Sequence, residues 1–201
     1  MKYPFKTAVD SNSVLTIGQS MLSGTSIVDV RGSHNLVEIG DNVKGRMSLT
    51  ILGDNNKVII EDGIHIVGRL HIAIRCGDSI IVVGRGSTFQ GLVKLFNHES
   101  SSIIIGADCM FSSDITVTTS DMHAIFDADN VRINKAASIM FGDHVWVGQT
   151  AKILKGVTIG SGSVVGMSSL VTRGVYPENC IIAGNPARVV REGIRWTRQV
   201  N

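Results

Sequence analysis

From Phe141 onward a large apolar residue returns every sixth position, at Phe141, Val147, Ile153, Ile159, Val165 and Val171. A small or apolar residue follows four places after each, at Val145, Ala151, Val157, Ser163, Ser169 and Val175, and glycine holds the second place at Gly142, Gly148, Gly160, Gly166 and Gly184. Residues six apart on an α-helix, which repeats every ~3.6 residues, would spiral around it and mark no face. A six-residue unit fits instead a short strand followed by a corner. Three units then close a triangular coil of about 18 residues, and successive coils stack about 4.8 Å apart with the large residues inside. Glycine at the second place suits a corner with unusual backbone angles.

The amino-terminal half repeats more loosely. NSVLTIGQS, HNLVEIGDN, ILGDNNKVIIEDG, IRCGDSIIVVGRGS and HESSSIIIGADC share an anchor at Ile17, Ile39, Ile60, Val83 and Ile105, spaced 22, 21, 23 and 22 residues apart. That is one coil plus a few corner residues each time. Ile105 to Phe141 is 36 residues, read as two further coils, and Phe141 to Ile159 and Ile159 to Pro177 are 18 each. One register thus predicts an all-β, parallel β-helix over 11–188 with about nine triangular coils. A right-handed β-helix or a β-sandwich is the alternative the pattern leaves open.

Two segments leave the register. After VTTSDM the stretch HAIFDADNVRINKAAS does not match, which predicts a loop excursion near 120–138, and loops on rigid scaffolds carry function. After Asn185-Pro186 the text PARVVREGIRWTRQV reads as a short helix over 189–201 with Pro186 near its start, closing the end of the solenoid. Arg188, Arg191, Arg195 and Arg198 fall at helical spacing, so they form either a solvated charged face or an anion-binding one.

Composition narrows the picture. The 201 residues are 43% hydrophobic, 18% charged and 5% aromatic, so residues 1–201 make one ordered domain with an aliphatic core. The net charge of +2 is too balanced for a binder of nucleic acid. Three cysteines without a CxxC pair argue against structural zinc and for a reducing, cytoplasmic setting. No secretory leader, no membrane-spanning run and no metal are expected. His65 and His71 are six apart and so lie on successive faces rather than at one metal. His144 reads as a corner residue, and His34 and His98 as surface residues. GSGSVVG, from Gly160 to Gly166, lies inside the six-residue phase and misses the dinucleotide fingerprint by one place.

TSDMH, with Trp146 in FGDHVWVGQ 23 residues after His123, together with KGVTIGSGSVVGMSSLVTRGVYPENCIIAGNPARVVRE, resembles the hexapeptide-repeat acetyltransferases. The wording is closest to bacterial capsule and lipopolysaccharide O-acetyltransferases and to the maltose, galactoside and xenobiotic enzymes. The resemblance is dense over about 105–196 and a matter of pattern before it. It implies a left-handed coil and direct transfer of acetyl from acetyl-CoA to a sugar or polysaccharide hydroxyl in a ternary complex. It implies His123 as general base, a task that imidazole suits. Asp121, two residues earlier, is a candidate to orient His123 or the acceptor. On the donor side it implies Trp146 packed by the active site, Gly148 and Gln149 near the coenzyme A arm, Met167 along the pantetheine, Arg173 where lysine is commoner, and Arg188 and Arg191 near the adenosine phosphates. It further implies a homotrimer with sites shared between subunits. N-acetylation of an amino sugar and a non-catalytic scaffold are the other readings. With repeats starting near residue 11, no additional amino-terminal domain is expected.

Overall fold

The computed structural model describes residues 5–199. Among them there is no helix; short parallel strands wind into a left-handed triangular solenoid of about eight turns. The first face is an eight-stranded sheet that begins with Val14–Ile17, Leu36–Ile39 and Lys57–Ile60 and ends with Ile139–Phe141, Val157–Ile159 and Gly174–Tyr176. The second face carries Thr88–Phe89, Met110–Phe111, Trp146–Val147, Val164–Val165 and Ile181–Gly184. The third carries Lys6–Val9, Ile27–Arg31, Leu92–Asn97, Ile115–Thr118, Lys152–Ile153 and Leu170–Val171. Lys44–Leu52 and His65–Ile74 run through the corner between the second and third faces, which joins those faces into one fifteen-stranded sheet. None of the described residues forms a helix long and apolar enough to cross a membrane.

The repeating anchors are neighbours in space. Ile17 pairs with Ile39, Ile39 with Ile60, Ile60 with Val83 and Val83 with Ile105. All six large residues from Phe141 to Val171 are buried. In the middle of the second face Phe89 and Phe111 stack at 5.0 Å and Phe111 meets Phe141 edge-on at 5.4 Å, so the few core aromatics sit together. Polar residues enter only where a corner needs them: Asn56 donates to Asn35 Oδ1 and to the Cys76 carbonyl, and its own Oδ1 accepts from Ser79 N–H.

The structure corrects four expectations. Ile105 pairs directly with Phe141, so the 36-residue gap is one coil carrying an excursion rather than two coils, and the count falls from nine to eight. The last repeat is shortened: Tyr176, not Pro177, lies beside Ile159 in the core, and Val175 is 83% exposed. Proline cannot donate the rung hydrogen bond, so the strand closes one residue early. Four of the second-place glycines, Gly142, Gly148, Gly160 and Gly166, answer close approach rather than unusual angles, while Gly184 has a positive φ of 107°. A Cβ on Gly142 would sit 2.6 Å from Ser161 N. The left-handed backbone falls instead on the fourth place, at His144, Thr150, Gly156, Gly162, Ser168 and Asn179. Finally, the carboxy-terminal helix is absent over the described residues. Ala187–Arg191 turns back as a strand antiparallel to Ile181–Gly184, because the last rung exposes unpaired backbone groups that a returning strand satisfies. Residues 200–201 of that expected helix lie outside the described residues.

Candidate active site

The corner between the third and first faces opens after Ile115–Thr118 and closes at Ile139–Phe141. Between them the chain forms a hairpin in which Phe126 bridges Arg132 and Ile133 N–H donates to the Ile125 carbonyl. Its base is tied by polar groups. Asn134 Nδ2 donates to Asp121 Oδ2 at 2.9 Å and to the His123 carbonyl at 2.8 Å, while its Oδ1 accepts from Ile125 N–H at 2.7 Å. Lys155 pairs with Asp121 and donates to the Asn134 carbonyl at 2.9 Å. Arg132 grips Glu99 with both nitrogens, at 2.8 and 2.7 Å, and Ser120 donates to the same carboxylate. The Lys155 hydrogen bond holds the Asp121 carboxyl below the usual carboxylate range, and that of Arg132 does the same for Glu99.

His123 stands exposed on this hairpin, and among the described residues its ring makes no hydrogen bond. Asp121 does not touch the ring. It reaches His123 through Asn134, which holds the carboxylate on one side and the His123 carbonyl on the other. On the same hairpin, Met122, Ile125, Phe126, Val131 and Ile133 are each more than half exposed.

The donor-side candidates gather elsewhere. Trp146, Gly148, Gln149 and Met167 line one groove of about 320 Å³ on the second face, floored by Val165 and Gly166. Trp146 and Val164 also wall an adjoining groove of about 430 Å³, whose far side is Arg191, Arg195 and Trp196. Arg188 is exposed on the same terminal strand and donates to the Ala187 carbonyl. Arg173 is not with them. It packs over Gly156 at the corner from which the hairpin springs. Within one chain, therefore, His123, Asp121 and Arg173 occupy one corner, and the other candidates lie along the second face and its terminal strand. A larger concavity of about 580 Å³ near Glu38, Asp41, Glu61 and Asp62 contains none of them, and its carboxylates would repel phosphate.

Trp196 anchors the tail beside Trp146. Its ring stacks on His144 at 3.9 Å and its Nε1 donates to the His144 carbonyl at 3.0 Å. His144 Nδ1 meets Asp108 Oδ2 at 2.6 Å, and Arg198 reaches Asp108 Oδ1 at 2.8 Å. Burial pushes the Asp108 carboxyl up, but the hydrogen bonds from His144 and Arg198 outweigh it and leave it low. His144 is thus a corner residue with a left-handed backbone and a structural partner on each side. His65 and His71 lie on the second and third faces. His98, expected at the surface, is half-buried against Phe96. Sequence reasoning did not single out Asn134, Lys155, Glu99 or Arg132. Asn134 lies within HAIFDADNVRINKAAS, the stretch outside the register, but a residue that acts by bridging two others has no spacing of its own.

No family model matches the chain. It is 32% identical over 191 residues to the polysialic acid O-acetyltransferase of Neisseria meningitidis, covering 94% of this chain and 87% of that one. It is 36% identical over 121 residues to the polysialic acid O-acetyltransferase of Escherichia coli O1:K1 / APEC, covering 60% of this chain but only 39% of that relative's length. A solved structure of a polysialic acid O-acetyltransferase superposes with a TM-score of 0.77 at 30% identity, over 99% of this chain and 90% of that one.

Proposed function

The chain belongs to the hexapeptide-repeat acetyltransferases, and from that premise we propose that it transfers acetyl from acetyl-CoA to a hydroxyl of a surface polysaccharide, in the cytoplasm and as a homotrimer. His123 takes the proton of the acceptor hydroxyl as its oxygen attacks the thioester carbonyl. The tetrahedral intermediate collapses, the C–S bond breaks, and the same imidazole returns the proton to the departing thiolate. No acyl-enzyme is needed. The three cysteines are free, two of them buried, and none lines the groove.

One observation carries this reading: the Asp121–Asn134–Lys155 network fixes the backbone on both sides of an imidazole whose nitrogens have no partner within the described residues. A base held in position with both nitrogens available is ready for proton transfer, and Asp121 acts as a positioning residue. Trp146, Gly148, Gln149 and Met167 suit the slender pantetheine arm, with an apolar wall and two glycines, Gly148 and Gly166, that leave it room. Arg191, with Arg188 beside it, suits the phosphates.

The site is complete only across a subunit boundary, where the hairpin with His123 and Arg173 meets the groove of a neighbour. The exposed apolar side chains of the hairpin support this. So does an outward stripe on the first face, where Ile59, Val82, Ile104 and Met140 follow one another in register. Calorimetric titration of acetyl-CoA tests the donor site. Wild type binds, Arg191→Ala binds about tenfold more weakly, and His123→Ala binds normally but transfers no acetyl group. A verified trimer that takes up no acetyl-CoA would end the proposal.

A further inference from the structure

The third face presents a different chemistry from the donor groove. Its outward positions form a ladder in which Ser48 pairs with His71, His71 with Lys94, Lys94 with Thr116 and Thr116 with Lys152. Rungs of this kind stand about 4.8 Å apart. Arg69 precedes His71 by two places on the same strand, and Arg75 follows just past its end. From Lys44–Leu52 to Leu170–Val171, no outward position of these strands is a carboxylate. Burial holds the His71 pKa down, and the charges of Lys94, Arg69 and Arg75 hold it down further.

At the centre lies Phe96, half-buried and outward-facing. His71 meets it edge-on at 5.6 Å and His98 at 5.8 Å, so the ring is held between two others. Beside it Asn97 Oδ1 and His98 Nδ1 are buried without a hydrogen-bond partner. The neighbouring strand, Ile115–Thr118, leads directly into the hairpin that bears His123.

We propose that this face is the docking surface of the acceptor, an extended polysaccharide bearing carboxylates. Arg69, Lys94 and Lys152 pair with the carboxylates, and the Phe96 ring supports the apolar face of a sugar. That the bound chain leads towards His123 rests on the acetyltransferase reading; the binding surface itself does not. A flat sheet suits a stiff, extended chain. A membrane would need apolar side chains to insert, and among the described residues of this face only Ile27 and Leu52 are large, apolar and well exposed.

The full-length protein is tested for binding to long-chain polysialic acid, to neutral dextran and to phosphatidylserine vesicles, alongside an Arg69→Gln/Lys94→Gln double variant and Phe96→Leu. We expect polysialic acid to bind, with an affinity that falls as salt rises, and dextran not to bind. The double variant should bind about tenfold more weakly, with an unchanged acetyl-CoA titration showing that the fold is intact. Equal binding of the polymer by wild type and double variant overturns the proposal, as does binding of vesicles but not polymer. If wild type binds the polymer through this face yet acetylates no saccharide, the acetyltransferase reading fails and the docking surface stands. If it acetylates neutral sugars and binds no polyanion, the reverse holds.

Discussion

Asn134 uses its whole amide inside one hairpin: two donors to Asp121 and to the His123 carbonyl, and an acceptor for Ile125 N–H. Replacing it with alanine removes the bridge and leaves the imidazole in place but unaligned. Asn134→Ala should lower kcat by about a hundredfold while the KM for acetyl-CoA stays within error, because the donor groove lies on another face. A parallel rise in that KM would mean a general loss of structure. The cysteines give a contrasting case. Burial pushes the Cys109 thiol up to about 11, so at neutral pH it is neither a thiolate nor accessible. Native protein treated with iodoacetamide should leave Cys109 unmodified by mass spectrometry, and labelling at the rate of a free thiol would contradict the buried assignment.

The hairpin is held by charge more than by packing. Asp121 and Glu99 have lowered pKa values in the folded chain, so their pairs with Lys155 and Arg132 contribute fully above the ordinary carboxylate range, near 4. The contribution is lost as pH falls through the lowered values. Protection of the hairpin amides, taken relative to the intrinsic exchange rate at each pH, should be high at pH 5 and fall once acidification goes below about pH 4, before the core opens. The second-face core depends on shape instead. Phe111 stacks between Phe89 and Phe141, and Phe111→Ala should cost about 3–5 kcal/mol in denaturant unfolding. The sequence made the solenoid legible because every anchor from Ile17 to Ile105 repeats a steric demand at the same place in each coil. It misled where one spacing serves two structures. Arginines at 188, 191, 195 and 198 fit a helix as well as a returning strand and tail, and only the unpaired rung at Ile181–Gly184 decides between them.

For the whole molecule, His123 and the Trp146 groove lie apart within one chain, and the proposed homotrimer is what would bring them together. Co-refolding equal amounts of His123→Ala and Trp146→Ala chains should restore about one quarter of wild-type activity, the chance that each intact half meets its complement in a random trimer. Sites built within single chains would restore none. His123 and Trp146 stand out in the sequence as candidates, whereas their placement on a corner hairpin and on the second face follows from the winding of the chain.

The direct pairing of Ile103–Ile105 with Ile139–Phe141 means that the solenoid does not register the length of the insert between Ile115–Thr118 and Ile139–Phe141. The hairpin is a cassette. It can be lengthened, trimmed or exchanged without shifting one core residue of the neighbouring coils. The insert and the surface of the face beside it can therefore diversify while the Trp146 groove on the second face stays as it is.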